Sequence, residues 1–437
     1  MSQRSEAYAR VLSRMIQHKT VSVMEENQKF TDFHALLPEL FPNLLRVAEY
    51  EDVEGSILLR WKGTDPTAAP VGLMNHHDVV EASGSWTHKP FSGDIADGKV
   101  WGRGALDTKG GLAMMLQAAE ELAAEGFTPK RDTYFISTCC EETTGDGGDR
   151  ISRLLYDRGI HFYMILDEGG MILYDPIGGA DGTFAMIGVG EKGYVDLKFT
   201  ARSTGGHAST PGKNTPLARL GQFMLEADKA KIFDVKMSAT VAEMLRRFAP
   251  TMKGVMKLAC GNVALFRPLL TKIMPAISPS AAALLRTTLA FTMAKGSDGT
   301  NVLPQEAWIV GNMRYSHHQG RYASIEAVTK LAAKYDIEVS IIKDGGASGL
   351  TDFTSPQFKF MEQAVEAIFP EYKPVPYIMN GASDSRYFSR VCDHCVRFVP
   401  IHIDDQQYNS VHGIDENVST ATLPQAVDFY KYFIQNV

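Results

Sequence analysis

The sequence predicts an α/β fold in which a mixed sheet flanked by helices is interrupted by a smaller α+β domain. Between residues 40 and 190, short apolar runs alternate with amphipathic helical stretches. From about residue 189 the order becomes strand, helix, strand, helix, strand, and after about residue 346 the first pattern returns. These observations indicate a smaller unit inserted into a larger one.

The larger domain is predicted over residues 1–188 and 346–437. Its strands are assigned to SILLRW, VGLMN, YFISTCC and FYMILD, and its best helix to KGGLAMMLQAAEELAAEG. Strands of about four to eight β-prone residues, separated by helices, are typical of a parallel or mixed sheet that is covered on both faces.

The inserted domain is predicted over residues 189–345. Its elements are YVDLKFTARS, PLARLGQFMLEADKA, EAWIVGNMRY, SIEAVTKLAAKY and IEVSIIK, the order of a small α+β sandwich. An enlarged helical insert at about 230–298 is rich in Met and Leu. Membrane contact is one interpretation of this insert, but apolar residues at helical spacing favour a core or a subunit interface.

Composition excludes several classes of partner. The 437 residues include 44 basic and 51 acidic side chains, a net charge of −7, and no long basic run, so we expect no nucleic acid partner. No stretch approaches the roughly 18 consecutive apolar residues of a membrane span, so we expect no membrane partner. The N-terminus, MSQRSEAYARVLSRMIQHKTVS, reads as a surface helix of a cytoplasmic protein.

Five cysteines are an odd count, which argues against a disulfide framework and fits a reducing compartment. Cys392 and Cys395 have a spacing that can hold zinc. Because no second pair exists, we interpret them as incidental thiols.

Polar residues follow three of the predicted strands at the point where each strand ends. They are His76 and Asp78, Glu141 and Glu142, and Asp167 and Glu168. In sheets of this kind chemistry collects at strand ends, so this repeated pattern predicts a site there.

In NHHDVV, an imidazole at a strand end can reach a metal while a nearby carboxylate orients its ring. His76 is then the ligand and Asp78 its partner, while strand alternation turns His77 to the other face. Taken alone, a His-Asp pair is a weak signal.

Asp107 follows the Gly-rich turn of WGRGALDTKGG and precedes a helix. One interpretation is a helix N-cap. The alternative is a carboxylate that shares its two oxygens between two metal ions, held by a rigid turn. Capping does not explain so many glycines.

Glu141 and Glu142 repel each other at the end of a buried strand unless a cation compensates. One can bind metal while its neighbour serves as general base and then as proton donor to the leaving nitrogen. An exposed acidic loop is the alternative. Asp167 and Glu168 repeat the arrangement, and His412 in NSVHGIDENV supplies a fifth ligand.

The ordered motifs HHD, GRGALDTKGG, EE, DEGG, GGHAS, TNVLP…NMR, GASDSR and VHG resemble one family. It is the two-zinc metallopeptidase family of aminoacylase, carboxypeptidase S, glutamate carboxypeptidase and succinyl-diaminopimelate desuccinylase. The resemblance runs from about residue 70 to the C-terminus. TTLAFT, TNVLPQEAWIVGNMRY and the enlarged insert are most similar to the carboxypeptidase S and N-acyl-amino-acid hydrolase branch.

The resemblance implies a zinc-peptidase-like catalytic domain with two zinc ions per subunit, for which manganese or cobalt can substitute, and a ferredoxin-like lid that forms a homodimer. Asp107 would bridge the ions. One ion would also take His76 and one of Asp167 and Glu168, with Glu168 slightly favoured. The other would take Glu142 and His412, with Glu141 as general base and Asp78 behind His76.

For the substrate, the resemblance implies that His207 stabilises the oxyanion or grips the substrate, while Asn301, Arg314 and Arg386 hold a carboxylate. The expected reaction is hydrolysis of an amide bond next to a free carboxylate, in a dipeptide, a short peptide or an N-acyl amino acid. Phosphoester hydrolysis is disfavoured because no Gly-rich phosphate cradle precedes a Lys-Ser/Thr pair. The non-enzyme alternative is a metal- or peptide-binding protein on the same fold.

Overall fold

The computed structural model describes residues 2–23, 30–277 and 279–437. Met1 of the predicted N-terminal helix and Ser278 of the predicted insert lie outside the described residues. The chain divides into two compact units. The first unit comprises residues 1–191, 247–257 and 348–437, and the second comprises 192–246 and 258–347.

The helices and strands follow the chain in alternating blocks. The α-helices are α1 (Gln3–Gln17), α2 (Thr31–Leu40), α3 (Pro42–Val47), α4 (Lys109–Ala124), α5 (Gly147–Asp157), α6 (Pro216–Lys229), α7 (Ala239–Phe248), α8 (Gly254–Gly261), α9 (Val263–Ile277), α10 (Pro279–Leu285), α11 (Gly320–Ala333), α12 (Pro356–Ile368), α13 (Asp405–Ser410) and α14 (Leu423–Asn436). The strands are β1 (Ala48–Val53), β2 (Ser56–Trp61), β3 (Val71–Met74), β4 (Ile95–Ala96), β5 (Lys99–Trp101), β6 (Thr133–Ser137), β7 (Met164–Asp167), β8 (Ile172–Tyr174), β9 (Thr183–Glu191), β10 (Gly193–Arg202), β11 (Gly206–His207), β12 (Thr288–Lys295), β13 (Val302–Leu303), β14 (Glu306–Tyr315), β15 (Glu338–Gly346), β16 (Lys373–Met379), β17 (Cys395–Arg397), β18 (His402–Ile403) and β19 (Asn417–Ser419). Short 3-10 helices lie at Ala249–Thr251 and Asp384–Arg390.

A mixed sheet forms the centre of the first unit. Its order is β1-β2-β6-β3-β7-β17-β9-β8-β18, with β16 added beside β9. The strands β6, β3 and β7 run parallel, whereas β1, β2 and β6 pair antiparallel. The predicted mixed sheet is therefore confirmed.

Helices cover both faces of this sheet because successive side chains of a strand point in opposite directions. Leu59 and Phe135 belong to the core that includes α1, α4 and α14. Their neighbours Leu58 and Ile136 belong to a separate core with Leu155 of α5. The sequences of β2 and β6 are therefore nearly continuous apolar runs, because both faces of these strands are buried.

The parallel strands bring three loops to one edge of the sheet. Met74 of β3 pairs with Ile136 of β6, and Leu73 pairs with Leu166 of β7. The segments that follow these strands therefore leave the sheet side by side. They are the segments on which the sequence placed its candidate ligands.

The second unit contains a four-stranded antiparallel sheet in the order β12-β14-β10-β15. Helices α6 and α11 pack against it over a core that includes Phe199 and Phe223. The α+β class predicted for this unit is confirmed. The predicted helical insert differs in its last part, because TLAFTMAK forms β12. Its Thr and Phe residues favour a strand, and β14 offers it a partner.

Residues 247–257 lie in the first unit, whereas the sequence assigned them to the insert. Arg247 forms an ion pair with Glu362 and donates to the carbonyl oxygen of Pro374 at 2.8 Å. The Phe248 ring packs edge-to-face on Phe184, with centroids 4.7 Å apart. Tertiary contacts, which local pattern does not encode, decide this placement.

Two features bear on the predicted environment of the chain. No helix in the described ranges is long and apolar enough to cross a membrane. The five cysteines are buried free thiols.

Candidate metal centre

Three side chains of the first unit, those of His76, His412 and Glu142, lie around Asp107. Its Oδ1 lies 3.0 Å from His76 Nε2, and its Oδ2 lies 3.0 Å from His412 Nε2. His412 Nε2 is also 3.0 Å from Glu142 Oε2. Potential ligand atoms of His76, Asp107 and Glu142 all lie within 4.8 Å of one another. Each oxygen of Asp107 therefore faces a different imidazole, which is the arrangement that a carboxylate shared between two cations requires.

Asp78 orients His76. The Nδ1–H of His76 donates to the backbone carbonyl of Asp78 at 2.9 Å, and Nδ1 is 3.4 Å from Asp78 Oδ1. Because a carbonyl oxygen only accepts, Nδ1 carries a proton, and Nε2 is the ring nitrogen that faces Asp107. His77 instead stacks on Phe33, with ring centroids 5.1 Å apart.

Asp78 also holds the backbone that carries the two glutamates. Its carboxylate is fully buried and accepts from the amides of Glu141 and Glu142, both at 3.1 Å. The hydroxyl of Ser22 donates to Asp78 Oδ2 at 2.7 Å. One carboxylate thus fixes the positions of an imidazole and of two acidic side chains relative to each other.

The Gly-rich segment around Asp107, which includes the start of α4, is too tight for larger residues at two of its glycines. A Cβ on Gly110 would lie 2.2 Å from the carbonyl oxygen of Ala105, and one on Gly111 would lie 2.3 Å from Asn75 Oδ1. Thr108, not Asp107, occupies the N-cap of α4. The helix-cap interpretation of Asp107 is therefore wrong.

Glu416 holds the backbone around Asp107 in place through hydrogen bonds. Its fully buried carboxylate accepts from the amides of Gly104, Leu106 and Asp107 at 3.1, 2.8 and 3.1 Å. Arg103 donates to the same carboxylate at 2.7 Å. Glu416 thereby fixes the backbone from which the Asp107 side chain projects.

Asp167 and Glu168 follow β7 and differ in their surroundings. Asp167 is buried, and its Oδ2 accepts from the amide of Ser385 at 2.9 Å. Burial raises the pKa of Glu168 well above its usual value, and the neighbouring charges of Asp167 and Glu141 add to this effect. Asp167 thus already accepts a backbone hydrogen bond, whereas Glu168 lies among other negatively charged groups.

The site combines acidic groups and imidazoles whose pKa values are both raised. Burial raises the pKa of Glu141 well above its usual value, and burial together with Asp107 raises the pKa of Glu142. Burial opposes charge on His76, but hydrogen bonds to Asp107 and Asp78 raise its pKa well above the usual value. Hydrogen bonds with Asp107 and Glu142 raise the pKa of His412 to about 10.

These donors fit divalent cations. Imidazole and carboxylate ligands suit zinc, manganese and cobalt, and the excess of buried carboxylates needs positive charge. Within the described residues, Glu142 Oε1 is buried without a hydrogen-bond partner. A metal ion at this position would satisfy that oxygen.

Arg386 lies in the short helix Asp384–Arg390 of the same unit and is buried. Its guanidinium stands 4.6 Å from the centre of the Tyr387 ring and 3.9 Å from Asp384 Oδ1. Burial raises the pKa of Asp384 to about 6, although Arg386 opposes the shift.

The other predicted substrate residues belong to the second unit. His207 is exposed on β11, with Nδ1 2.7 Å from Ser209 Oγ. The backbone carbonyl of Asn301 accepts from the amide of Ala208 at 2.9 Å, so His207 and Asn301 lie in one local structure. Arg314 on β14 stands 4.8 Å from the centre of the Tyr194 ring.

No role was predicted from the sequence for four further residues that shape the site; they are Glu416, Arg103, Ser22 and Asp384. Glu416 sits four residues after His412 in a polar loop, where an acidic residue is ordinarily exposed. Nothing local distinguishes it from Asp415, whose carboxylate bonds the exposed Thr87. Only the folded chain reveals that Glu416 is buried beneath the Asp107 turn.

Comparisons with known proteins agree with this geometry. The family model described as "Peptidase family M20/M25/M40" matches residues 72–436. The human (Homo sapiens) "N-fatty-acyl-amino acid synthase/hydrolase PM20D1" is 31% identical, over 98% of this chain and 88% of the human protein. Carboxypeptidase S of Saccharomyces cerevisiae is 27% identical, over 93% of this chain and 78% of the yeast protein.

Among solved structures, the M20 family metallo-carboxypeptidase Sso-CP2 from Sulfolobus solfataricus superposes with a TM-score of 0.72 at 17% identity, covering 99% of each chain. The predicted fold class and the resemblance to the carboxypeptidase S and N-acyl-amino-acid hydrolase branch are confirmed. So is the prediction of a metallopeptidase or amidohydrolase. The chain therefore belongs to the peptidase family M20/M25/M40.

Proposed function

We propose that this chain is a two-zinc hydrolase that cleaves the amide bond of an N-acyl amino acid, releasing an amino acid and the free acyl acid. The observation that carries the proposal is Asp107, whose two oxygens each lie 3.0 Å from a different imidazole. A capping or ion-pairing carboxylate has no need of two imidazoles on opposite oxygens. A carboxylate shared by two cations does.

The ligands divide into two sets. One ion would take His76, Asp107 and Glu168, and the other would take His412, Asp107 and Glu142. We assign Glu168 instead of Asp167 because Asp167 Oδ2 already accepts from the Ser385 amide, whereas the raised pKa of Glu168 reflects its place among like charges. The ions, when bound, would supply Lewis acidity to the scissile carbonyl and lower the pKa of a water molecule.

Glu141 is the proposed general base. The backbone amide of Glu141 is held by Asp78, and burial raises the pKa of its carboxyl group, which makes the carboxylate a better proton acceptor. In the forward reaction Glu141 takes the proton of the attacking water. It then delivers that proton to the nitrogen of the leaving amino acid, and the carboxylate is regenerated.

The substrate class rests on the human and yeast relatives and on the buried cation Arg386. An arginine pairs bidentately with a carboxylate, which is the group that an N-acyl amino acid and a peptide C-terminus share. The substrate roles of His207, Asn301 and Arg314 stay predictions. So do homodimer formation through the second unit and the cytoplasmic location.

The test compares matched substrates before and after metal removal. We expect hydrolysis of N-acyl amino acids to stop when a chelator removes the metal and to return with zinc. The matched control is the same N-acyl amino acid with its carboxylate converted to an amide, which we expect to be cleaved at least about tenfold more slowly because it forfeits a charged hydrogen bond.

Two outcomes would contradict the proposal. Undiminished turnover after verified metal removal would exclude metal catalysis. Full metal content without turnover on N-acyl amino acids or dipeptides would favour the alternative of a binding protein. A preference for dipeptides would keep the mechanism and change only the acyl half of the substrate.

A further inference from the structure

A basic segment without acidic residues runs through α8 and α9. Residues 244–297 contain eight Lys or Arg and no Asp or Glu, in a chain whose net charge is −7. Four of these cations pair with acids that lie outside the segment; they are Arg246, Arg247, Lys253 and Lys295. Lys257 on α8 and Arg267 and Lys272 on α9 are exposed. Positive charge therefore accumulates on these two helices.

Solvent-exposed leucines lie next to these cations on the same helices. On α9, Leu265 is 75% exposed and Leu269 is 51% exposed. Their spacing of four residues puts them on one face, and Lys272 follows three residues later on that face. On α8, Leu258 is 59% exposed and adjoins Lys257.

These leucines are not needed for folding of the second unit. The inward face of α9 already buries Val263, Leu270 and Met274. A surface helix ordinarily has one apolar face and a polar one opposite it, whereas α9 has apolar residues on both. The apolar residues at helical spacing favoured a core or a subunit interface for this insert, and the exposure of Leu265 and Leu269 excludes the core for these two side chains.

We propose that the exposed face of α9, which carries Leu265, Leu269 and Lys272, docks on an anionic lipid surface. Leucines of this kind enter the boundary between headgroups and acyl chains, while Lys and Arg pair with anionic headgroups. The chain as a whole is negative, whereas this segment is basic, so charge favours an orientation in which this segment faces the anionic surface.

Other occupants fit less well. A single-stranded nucleic acid stacks its bases on aromatic side chains, and the exposed apolar residues here are aliphatic. The helices in the described ranges are too short or too polar to cross a bilayer, so the contact is peripheral. Docking would give access to amphiphilic N-acyl amino acids dissolved in the bilayer, a consequence that rests on the proposed function.

The experiment is sedimentation of the full chain with vesicles. One vesicle population is phosphatidylcholine with about 30% phosphatidylglycerol, and the other is phosphatidylcholine alone. We expect binding to the anionic vesicles only, weakened by added salt. The double variant Leu265→Ser/Leu269→Ser and the variant Lys272→Glu should each bind at least about tenfold more weakly.

The matched control is Leu225→Ser. Leu225 is 57% exposed on α6, but its neighbours are Glu226 and Asp228. We expect this variant to bind as the wild type does. Circular dichroism should show the same helix content in all variants, and turnover of a water-soluble N-acetyl amino acid should be unchanged.

Absence of binding to anionic vesicles would overturn the proposal, as would equal binding to both vesicle types or equal loss in Leu225→Ser. If light scattering instead shows a dimer that Leu265→Ser/Leu269→Ser dissociates, the face is a subunit interface and the proposal is wrong. Failure of the N-acetyl substrate to turn over would contradict the proposed function alone, because sedimentation does not depend on catalysis.

Discussion

Replacing Glu416 with Gln should destabilise the protein more than any surface Glu→Gln change. The substitution keeps the size of the side chain and removes its charge. It leaves Arg103 buried without its carboxylate, and it turns an amide NH₂ toward backbone donors that now bond a carboxylate oxygen. Two donors then face each other in a site that water does not reach.

The magnitude follows from the loss of one partner. Burial raises the pKa of Glu416 even though Arg103 opposes the shift, so the intact pair itself contributes little to stability. Removing one member of a buried pair nevertheless lowers the free energy of unfolding by about 3–5 kcal/mol, because the other charge stays buried. The backbone beneath Asp107 should also loosen, so zinc should bind more weakly.

Urea unfolding of the metal-free protein, followed by circular dichroism, measures the first effect, and competition with a zinc chelator measures the second. The control is Glu366→Gln on the exposed side of α12, which should stay within about 0.5 kcal/mol of the wild type. The reasoning is refuted if Glu416→Gln also stays within about 0.5 kcal/mol and keeps the zinc affinity of the wild type.

Three further outcomes are expected. Glu141→Ala should retain its metal but lower kcat by about 10²–10⁴-fold, since only proton transfer is removed. Glu142→Ala should also lose metal. A metal-replete Glu141→Ala with normal kcat would exclude Glu141 as the base. Ser22→Ala removes a donor from buried Asp78 and should lower the free energy of unfolding by about 1–3 kcal/mol in a urea titration, and no change would show that this hydrogen bond is dispensable. Because the pKa of His412 is raised to about 10, its protonated form stabilises the metal-free protein fully below its unfolded pKa of about 6.5, and this stabilisation is lost as pH rises through about 10. Metal must displace that proton, so zinc affinity should rise with pH across the same window, and calorimetry in buffers of different ionisation enthalpy should detect proton release; pH-independent affinity would contradict this assignment.

The sequence predicts the parts of the site that follow strands. His76, Glu141 and Glu168 come directly after apolar runs, and parallel strands bring such positions to one edge. Asp107 and His412 come from distant parts of the chain. Their convergence was expected from the family resemblance, and the structure gives the distances between Asp107 and the two imidazoles.

Other features depend on tertiary contacts that no local pattern encodes. Glu416 looks like an ordinary loop acid until the Asp107 turn folds over it. β12 forms at the end of a helical-looking insert because β14 offers an unpaired edge. The exposed leucines of α9 have the same spacing as buried ones, so sequence alone does not tell which face is covered.

The count of zinc ions per chain tests the central claim most directly. After saturation with zinc and exhaustive dialysis, elemental mass spectrometry should find about two ions per chain in the wild type and about one in His412→Ala, with Asp107→Ala retaining neither. A wild-type content of one ion or none, or an unchanged content in Asp107→Ala, would contradict a carboxylate shared between two metals.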